Sequence, residues 1–151
     1  MKLTSRGELA LKAMLELAKA EGAEGTGLSA AEIARRCRAS VKFLEQVLIQ
    51  LRAGGLVIST RGRLGGYRLA RNADTIYVGD VSRQIDGPLA PAPCASVTQH
   101  RPCDWCESEA DCDLKSLWVQ VRDAISQVMD NVTLAELVMA RTGTRVDRYA
   151  I

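Results

Sequence analysis

The chain has a single histidine among its 151 residues, and it lies in a loop-like stretch. No nucleophile is paired with a recognisable base, so nothing can be assigned to general acid–base or covalent catalysis, and an enzyme is not indicated. No apolar run approaches the roughly 20 residues that span a bilayer. The opening stretch, MKLTSRGELALKAMLELAKAE, alternates charged and apolar residues every turn and lacks the apolar centre of a secretory signal. These absences point to the cytoplasm and away from a membrane. Thiols stay reduced there, and clustered cysteines more often serve metal or redox chemistry than structural disulfides. Cysteine is rare over most of the chain, yet four of the five fall within residues 94–112.

What is present is the composition of an ordinary globular protein, 47% hydrophobic and 25% charged, on a chain long enough for one cored domain and an appendage. The net charge of +2 conceals an asymmetry: residues 1–72 carry 13 Lys/Arg against 6 Asp/Glu, and residues 73–151 carry 7 against 12. A basic first half suits a polyanionic partner. It also suits a solubilising surface, so the pattern along the chain has to decide.

Residues 4–21 read as a helix with Thr4 or Ser5 as cap and Leu9, Ala13, Met14 and Leu17 as an apolar stripe. After the glycine-rich EGAEGTG, Ser29 caps a helix over 30–37, with Glu32 at capping-box spacing. Ser40 caps another over 41–53, whose Leu44, Val47, Leu48 and Leu51 share one side, and Gly54 and Gly55 end it. LVIST (56–60) and YRLAR (67–71) read as strands around the turn RGRLGG. This order predicts a mainly α chain with a winged helix-turn-helix over residues 1–87, completed by a short helix at 78–85 packed back on the wing. Winged helices also bind proteins, but the basic excess and the arginines at the wing tip favour double-stranded DNA. The 41–53 helix is slim enough for a major groove. It offers Lys42, Glu45, Gln46, Ile49 and Gln50 outward, with Ser40 and the free amides at its start for a phosphate. Arg61 and Arg63 at the wing tip suit a minor groove.

Residues 88–112 form an acidic, proline-bearing loop without periodicity. Beyond it, Leu114, Trp118, Val121, Ile125, Val128 and Val132 recur in steps of 4, 3, 4, 3 and 4. That is a heptad seam, which suits a second copy of the helix and hence a homodimer reading an inverted-repeat operator; packing on the first helix of the same chain is the alternative. Thr133 and Glu136 cap a last helix in a dimerisation region of 113–140, and a polar tail follows from 141.

Cys94, Cys103, Cys106 and Cys112 are spaced C-x8-C-x2-C-x5-C. Four thiolates suit a tetrahedral zinc or an iron–sulfur cluster, and spacing leaves the two level. A bare thiol switch is disfavoured because Asp104, Glu107, Glu109 and Asp111 surround the thiols. His100 is a candidate ligand or a solvated side chain, Cys37 reads as a small buried hydrophobe, and Trp118 as core on the seam. Trp105, between the ligand candidates, either shields a cluster or covers loop surface. An electron-transfer protein or a zinc-stabilised adaptor would leave the wing arginines without a purpose.

The stretches MKLTSRGELALKAMLELA, LSAAEIARRCRASVKFLEQVLIQLRAGGLVISTRGRLGGYRLAR, VGDVSRQIDG and NVTLAELV resemble the Rrf2 family of bacterial transcription regulators. The resemblance runs from Met1 to about Met139, and LEQ followed by LRAGGLVISTRG and LGGY is specific to that family. It implies a dimeric winged helix-turn-helix regulator with a long dimerisation helix. It also implies an iron–sulfur cluster, 2Fe–2S rather than 4Fe–4S, that senses cluster supply, redox state or nitric oxide, with zinc as the alternative. The family's cluster cysteines match Cys94, Cys106 and Cys112, and Cys103 is an addition. Where the cluster-biogenesis branch has a histidine, this chain has Lys115, which cannot ligate as a cation. Glu8 matches the carboxylate that the nitric-oxide branch takes from the partner's first helix, so the resemblance leaves Cys103 or the partner's Glu8 as fourth ligand. Its DNA contacts match Ser40, Lys42, Phe43, Glu45 and Arg61, with Phe43 in place of a tyrosine.

Overall fold

A computed structural model describes residues 3–23, 27–60, 62 and 65–141. Arg61 and Arg63, both expected to touch DNA, and the expected tail beyond residue 141 lie outside the described residues. The first helix, α1 (Ser5–Ala23), starts where Thr4 accepts the Gly7 N–H on its hydroxyl at 3.1 Å and the Glu8 N–H on its carbonyl at 2.9 Å. Helix α2 (Ala30–Cys37) is capped by Ser29, whose Oγ accepts the Glu32 N–H at 3.1 Å. The reciprocal half of the expected capping box is absent, because the Glu32 carboxylate turns to Arg35 at 2.8 Å and Arg36 at 2.6 Å. Arg38 makes the turn in the left-handed conformation (φ 55°), its N–H closing on the carbonyls of Ala34 and Arg35. Helix α3 (Val41–Ala53) follows, with Ser40 Oγ accepting the Phe43 N–H at 3.3 Å.

Strands β1 (Val57–Thr60) and β2 (Gly66–Leu69) pair antiparallel, with Val57 opposite Leu69 and Thr60 opposite Gly66. The hairpin is tied to the front of α2 by two backbone bonds between Leu28 and Tyr67, at 2.9 and 2.8 Å. Only glycine permits that approach at position 66: a Cβ there would stand 2.8 Å from the Leu28 carbonyl oxygen.

The core gathers Met14 and Leu17 of α1, Ile33 of α2, all four apolar inward residues of α3 (Leu44, Val47, Leu48, Leu51), Val57, Ile76, Val81 and Leu134. Helix α4 (Val78–Asp86) meets the end of the wing, on which the sequence led us to expect it to pack, through the Arg71–Asp80 ion pair at 3.0 Å, but its main packing is elsewhere. It lies on α1 and α3, where its Gln84 Nε2 donates to the Gln50 carbonyl at 2.9 Å. Its apolar Val81 is fully buried there.

A short 3-10 turn, Pro93–Ala95, punctuates the cysteine loop before α5 (Lys115–Met129) and α6 (Leu134–Arg141). Thr133 and Glu136 cap α6 reciprocally: the Glu136 N–H donates to Thr133 Oγ1 at 3.1 Å and the Thr133 N–H to Glu136 Oε2 at 2.9 Å. No residue of α5 is buried. Its contacts within the chain go to the Pro93–Ala95 turn and to α4, while α6 covers α1. The seam is shorter than its spacing suggested. Val132 leaves it and is buried, because the Val132 carbonyl accepts the Val78 N–H at 2.9 Å and the Leu134 N–H reaches Ile76 at 3.0 Å. None of the described helices is long and apolar enough to cross a membrane.

Candidate functional site

Two surfaces carry the chemistry. The first is the outward side of α3. With Leu44, Val47, Leu48 and Leu51 fully buried, the helical period turns Lys42, Glu45, Gln46 and Ile49 to solvent, and all four are exposed. Among the described residues Lys42, Glu45 and Gln46 make no side-chain hydrogen bond or ion pair, so their polar groups are free for a ligand. Ser40 is exposed beside them; its oxygen is engaged as the cap, and its hydroxyl proton remains to donate. Phe43 sits half-buried against the core. Gln50 is also half-buried, its side-chain oxygen enclosed, so it does not belong to the outward set.

The second surface is the thiol loop. Cys94, Cys103, Cys106 and Cys112 all line one pocket of about 460 Å³, together with Pro91, Ala92, Pro93, Trp105, Leu114 and Trp118. The 3-10 turn buries Cys94, and the other three thiols are half-exposed. Cys106 Sγ and Cys112 Sγ stand 3.5 Å apart. Two sulfurs on one tetrahedral metal at bonds of about 2.3 Å would stand roughly 3.8 Å apart, so this pair is spaced like two ligands of a single metal. Among the described residues no three Cys, His, Asp or Glu side chains already converge to hold one ion. Four thiols around an apolar pocket fit a larger body bound through several sulfurs, which is the donor set of an iron–sulfur cluster.

The thiols are not equivalent. The hydrogen bond with Cys112, desolvation and the neighbouring Cys103 push Cys106 up to about 12. Cys112 is lowered, first by the backbone N–H of Leu114, then by Cys106 and the N–H of Lys115, at the amino end of α5. The surrounding acids, expected to raise the thiols, are partly neutralised. Glu109 accepts from Lys115 Nζ at 2.7 Å and pairs with His100 Nε2 at 3.1 Å. His100 is thereby drawn to Glu109 and is not part of the pocket lining. Lys115 is raised by that bond with Glu109, and the nearby Cys94 and Cys112 add to the effect.

Trp118 is half-buried and forms a wall of the pocket, a role its place in the heptad did not reveal. Trp105 stands at the pocket edge, 94% exposed. Glu8 lies on the exposed first turn of α1, paired with Lys12 at 2.7 Å, whose ammonium lowers its carboxyl; it does not line the pocket of its own chain. Cys37 is half-buried against the core instead of enclosed, and burial raises its thiol.

A helix-turn-helix with a docked hairpin and an open polar face on its second helix defines a winged-helix DNA-binding regulator. The Rrf2 family profile, described as an iron-dependent transcriptional regulator, matches residues 3–140, and the chain belongs to that family. It is 38% identical over 139 residues to an rrf2-like HTH-type transcriptional regulator of Rhodobacter capsulatus, covering 91% of this chain and 93% of that one. Among solved structures it resembles CymR, the global cysteine regulator of B. subtilis, with a TM-score of 0.74 at 34% identity over 92% of this chain and 97% of that one. It also resembles T. potens IscR, with a TM-score of 0.71 at 31% identity over 96% and 91%. These relatives are regulators and the family is not enzymatic.

Proposed function

We propose that this Rrf2 regulator is a cytoplasmic homodimer that binds an inverted-repeat operator, and that an iron–sulfur cluster in the thiol pocket sets its affinity for that operator. The observation that carries the reading is the convergence of Cys94, Cys103, Cys106 and Cys112 on one apolar pocket between the cysteine loop and the start of α5. Cys94, Cys106 and Cys112 would hold the cluster, with Cys103 or Glu8 of the partner subunit as fourth ligand. When bound, such a cluster supplies a group that oxidants and nitric oxide alter or remove. Lys42, Glu45 and Gln46 bond base edges and phosphates, and Ser40 donates to a phosphate. Arg61 and Arg63 of the wing reach a minor groove.

A series of hydrogen bonds supports coupling between the two surfaces. Arg122 Nη1 of α5 donates to the carbonyl of Ala95, next to Cys94, at 2.8 Å. At the other end of α5, Asp130 pairs with Arg83 of α4, and the next residue, Gln84, holds Gln50 of α3 at 2.9 Å. Thiols drawn together fix the 88–112 loop, and the loop then biases α5 and α4 against α3. Coupling of about 1–3 kcal/mol changes operator affinity roughly 5- to 150-fold.

Protein purified without oxygen tests the reading. A brown protein with visible sulfur-to-iron absorption, stoichiometric iron and sulfide, and operator affinity that changes on removal of iron is expected. A colourless protein with stoichiometric zinc overturns the cluster. A second reading rests on the 3.5 Å between the Cys106 and Cys112 sulfurs. Hydrogen peroxide, a two-electron oxidant, would join that pair in a disulfide and be reduced to two molecules of water, which take up the two thiol protons. An iron-free protein whose mass falls by two hydrogens on oxidation would select it.

A further inference from the structure

Ile49 is 64% exposed, the most exposed large apolar side chain among the described residues of 3–87. At 3.6 residues per turn it points about 150° away from the mean direction of the four buried leucine and valine side chains of α3. It is therefore near the centre of the outward face, among Lys42, Glu45 and Gln46. Among the described residues nothing makes use of it beyond its helical backbone: a β-branched residue on a solvated helix face adds neither core packing nor helix propensity. Its neighbours can bond donors and acceptors in a major groove, but they gain nothing from a methyl group. Thymine alone presents one there, and an aliphatic side chain is the group that recognises it.

We infer that Ile49 reads the 5-methyl group of a thymine in each half-site, so the operator is specified by apolar contact as well as by hydrogen bonds. The inference rests on the proposed seating of α3 in the major groove. Glu45 lies one turn before Ile49, about 6 Å along the helix. That separation corresponds to roughly two base-pair steps of about 3.4 Å. A carboxylate accepts from a cytosine amino group, so the thymine read by Ile49 stands about two steps from the cytosine read by Glu45. Burying one methyl corresponds to about a fourfold gain in affinity.

The probe is a duplex selected from a random pool by the wild-type protein, then resynthesised with deoxyuridine replacing each thymine in turn, which deletes the methyl and keeps every hydrogen-bonding group. Binding is followed by fluorescence anisotropy. In each half-site one replacement should weaken wild-type binding about fourfold, and Ile49→Ala should bind the thymine and deoxyuridine duplexes equally. The variant changes an exposed side chain, and its circular dichroism should match the wild type. If no replacement weakens binding, or if the loss persists undiminished in Ile49→Ala, the inference is overturned. Gln46→Ala and Lys42→Ala separate the two levels. Should they weaken binding while Ile49→Ala shows no methyl effect, α3 is the reading helix and only the role of Ile49 fails. Should neither alter binding to the selected duplex, the seating of α3 fails and the inference with it.

Discussion

At the scale of single residues, one acid shows how local charge is used in the helix-turn-helix. Glu32 is held down to about 2 by its hydrogen bonds to Arg35 and Arg36. Its folded value lies below the usual carboxylate range, so its stabilising contribution is present above about pH 4.3 and is lost as pH falls through the folded value. Glu32→Gln should therefore melt below the wild type at pH 7, with the gap narrowing under pH 4 and closing near pH 2, as read by thermal melts across that range. The pair is solvent-exposed, so the shift will be small. The fourth ligand of the proposed cluster is also a question about single residues. Cys94→Ala, Cys106→Ala and Cys112→Ala should each abolish iron binding on anaerobic reconstitution. If Cys103 completes the site, Cys103→Ala loses iron and Glu8→Ala keeps it; if the partner subunit supplies Glu8, the pattern reverses. Full iron in both single variants would discard both assignments.

Among the elements, α5 stands apart because no residue of it is buried within its own chain. Trp118, Val121 and Ile125 are half-buried and Leu114 and Val128 exposed along one side, an apolar stripe that the described residues of its own chain cover only in part. A second copy of α5 would cover it. Ile125→Asp would place like charges in that seam, and sedimentation equilibrium should then return the monomer mass. A dimer mass would move the interface elsewhere. The hairpin is positioned by the close approach of Gly66 to Leu28. Gly66→Ala forces the two backbones apart and should cost about 1–3 kcal/mol in chemical denaturation.

For the whole molecule, the proposed regulation depends on whether the loop's state reaches α3. Arg122 is the side chain through which α5 holds the loop carbonyl at Ala95, and only 19% of it is exposed. Arg122→Met keeps the bulk of the side chain and removes the donor. It should retain iron and the dimer mass while the ratio of operator affinities with and without iron shrinks towards one. An unchanged ratio would show that coupling runs by another route.

The order helix, turn, helix, hairpin was legible in the sequence because caps and apolar periods are local: Ser29, Ser40 and Thr133 each bind an amide three residues on, and Leu44, Val47, Leu48 and Leu51 repeat with the turn of their own helix. The same locality made the four cysteines visible as a group. Contacts between distant segments were not legible. The seam spacing includes Val132, yet bonds to Val78 and Ile76, some 55 residues earlier, take that stretch into the core. The heptad assigns Trp118 to a helix interface, and only the return of the 91–94 segment makes it a wall of the thiol pocket. The acids around the cysteines in the sequence pointed to raised thiols. The fold instead sets Cys112 against the first amides of α5 and Cys106 among its fellow thiols, and so parts their acidities. Hydrogen bonds within a turn are decided by neighbours in the chain; the field at a side chain is decided by whatever the fold brings beside it.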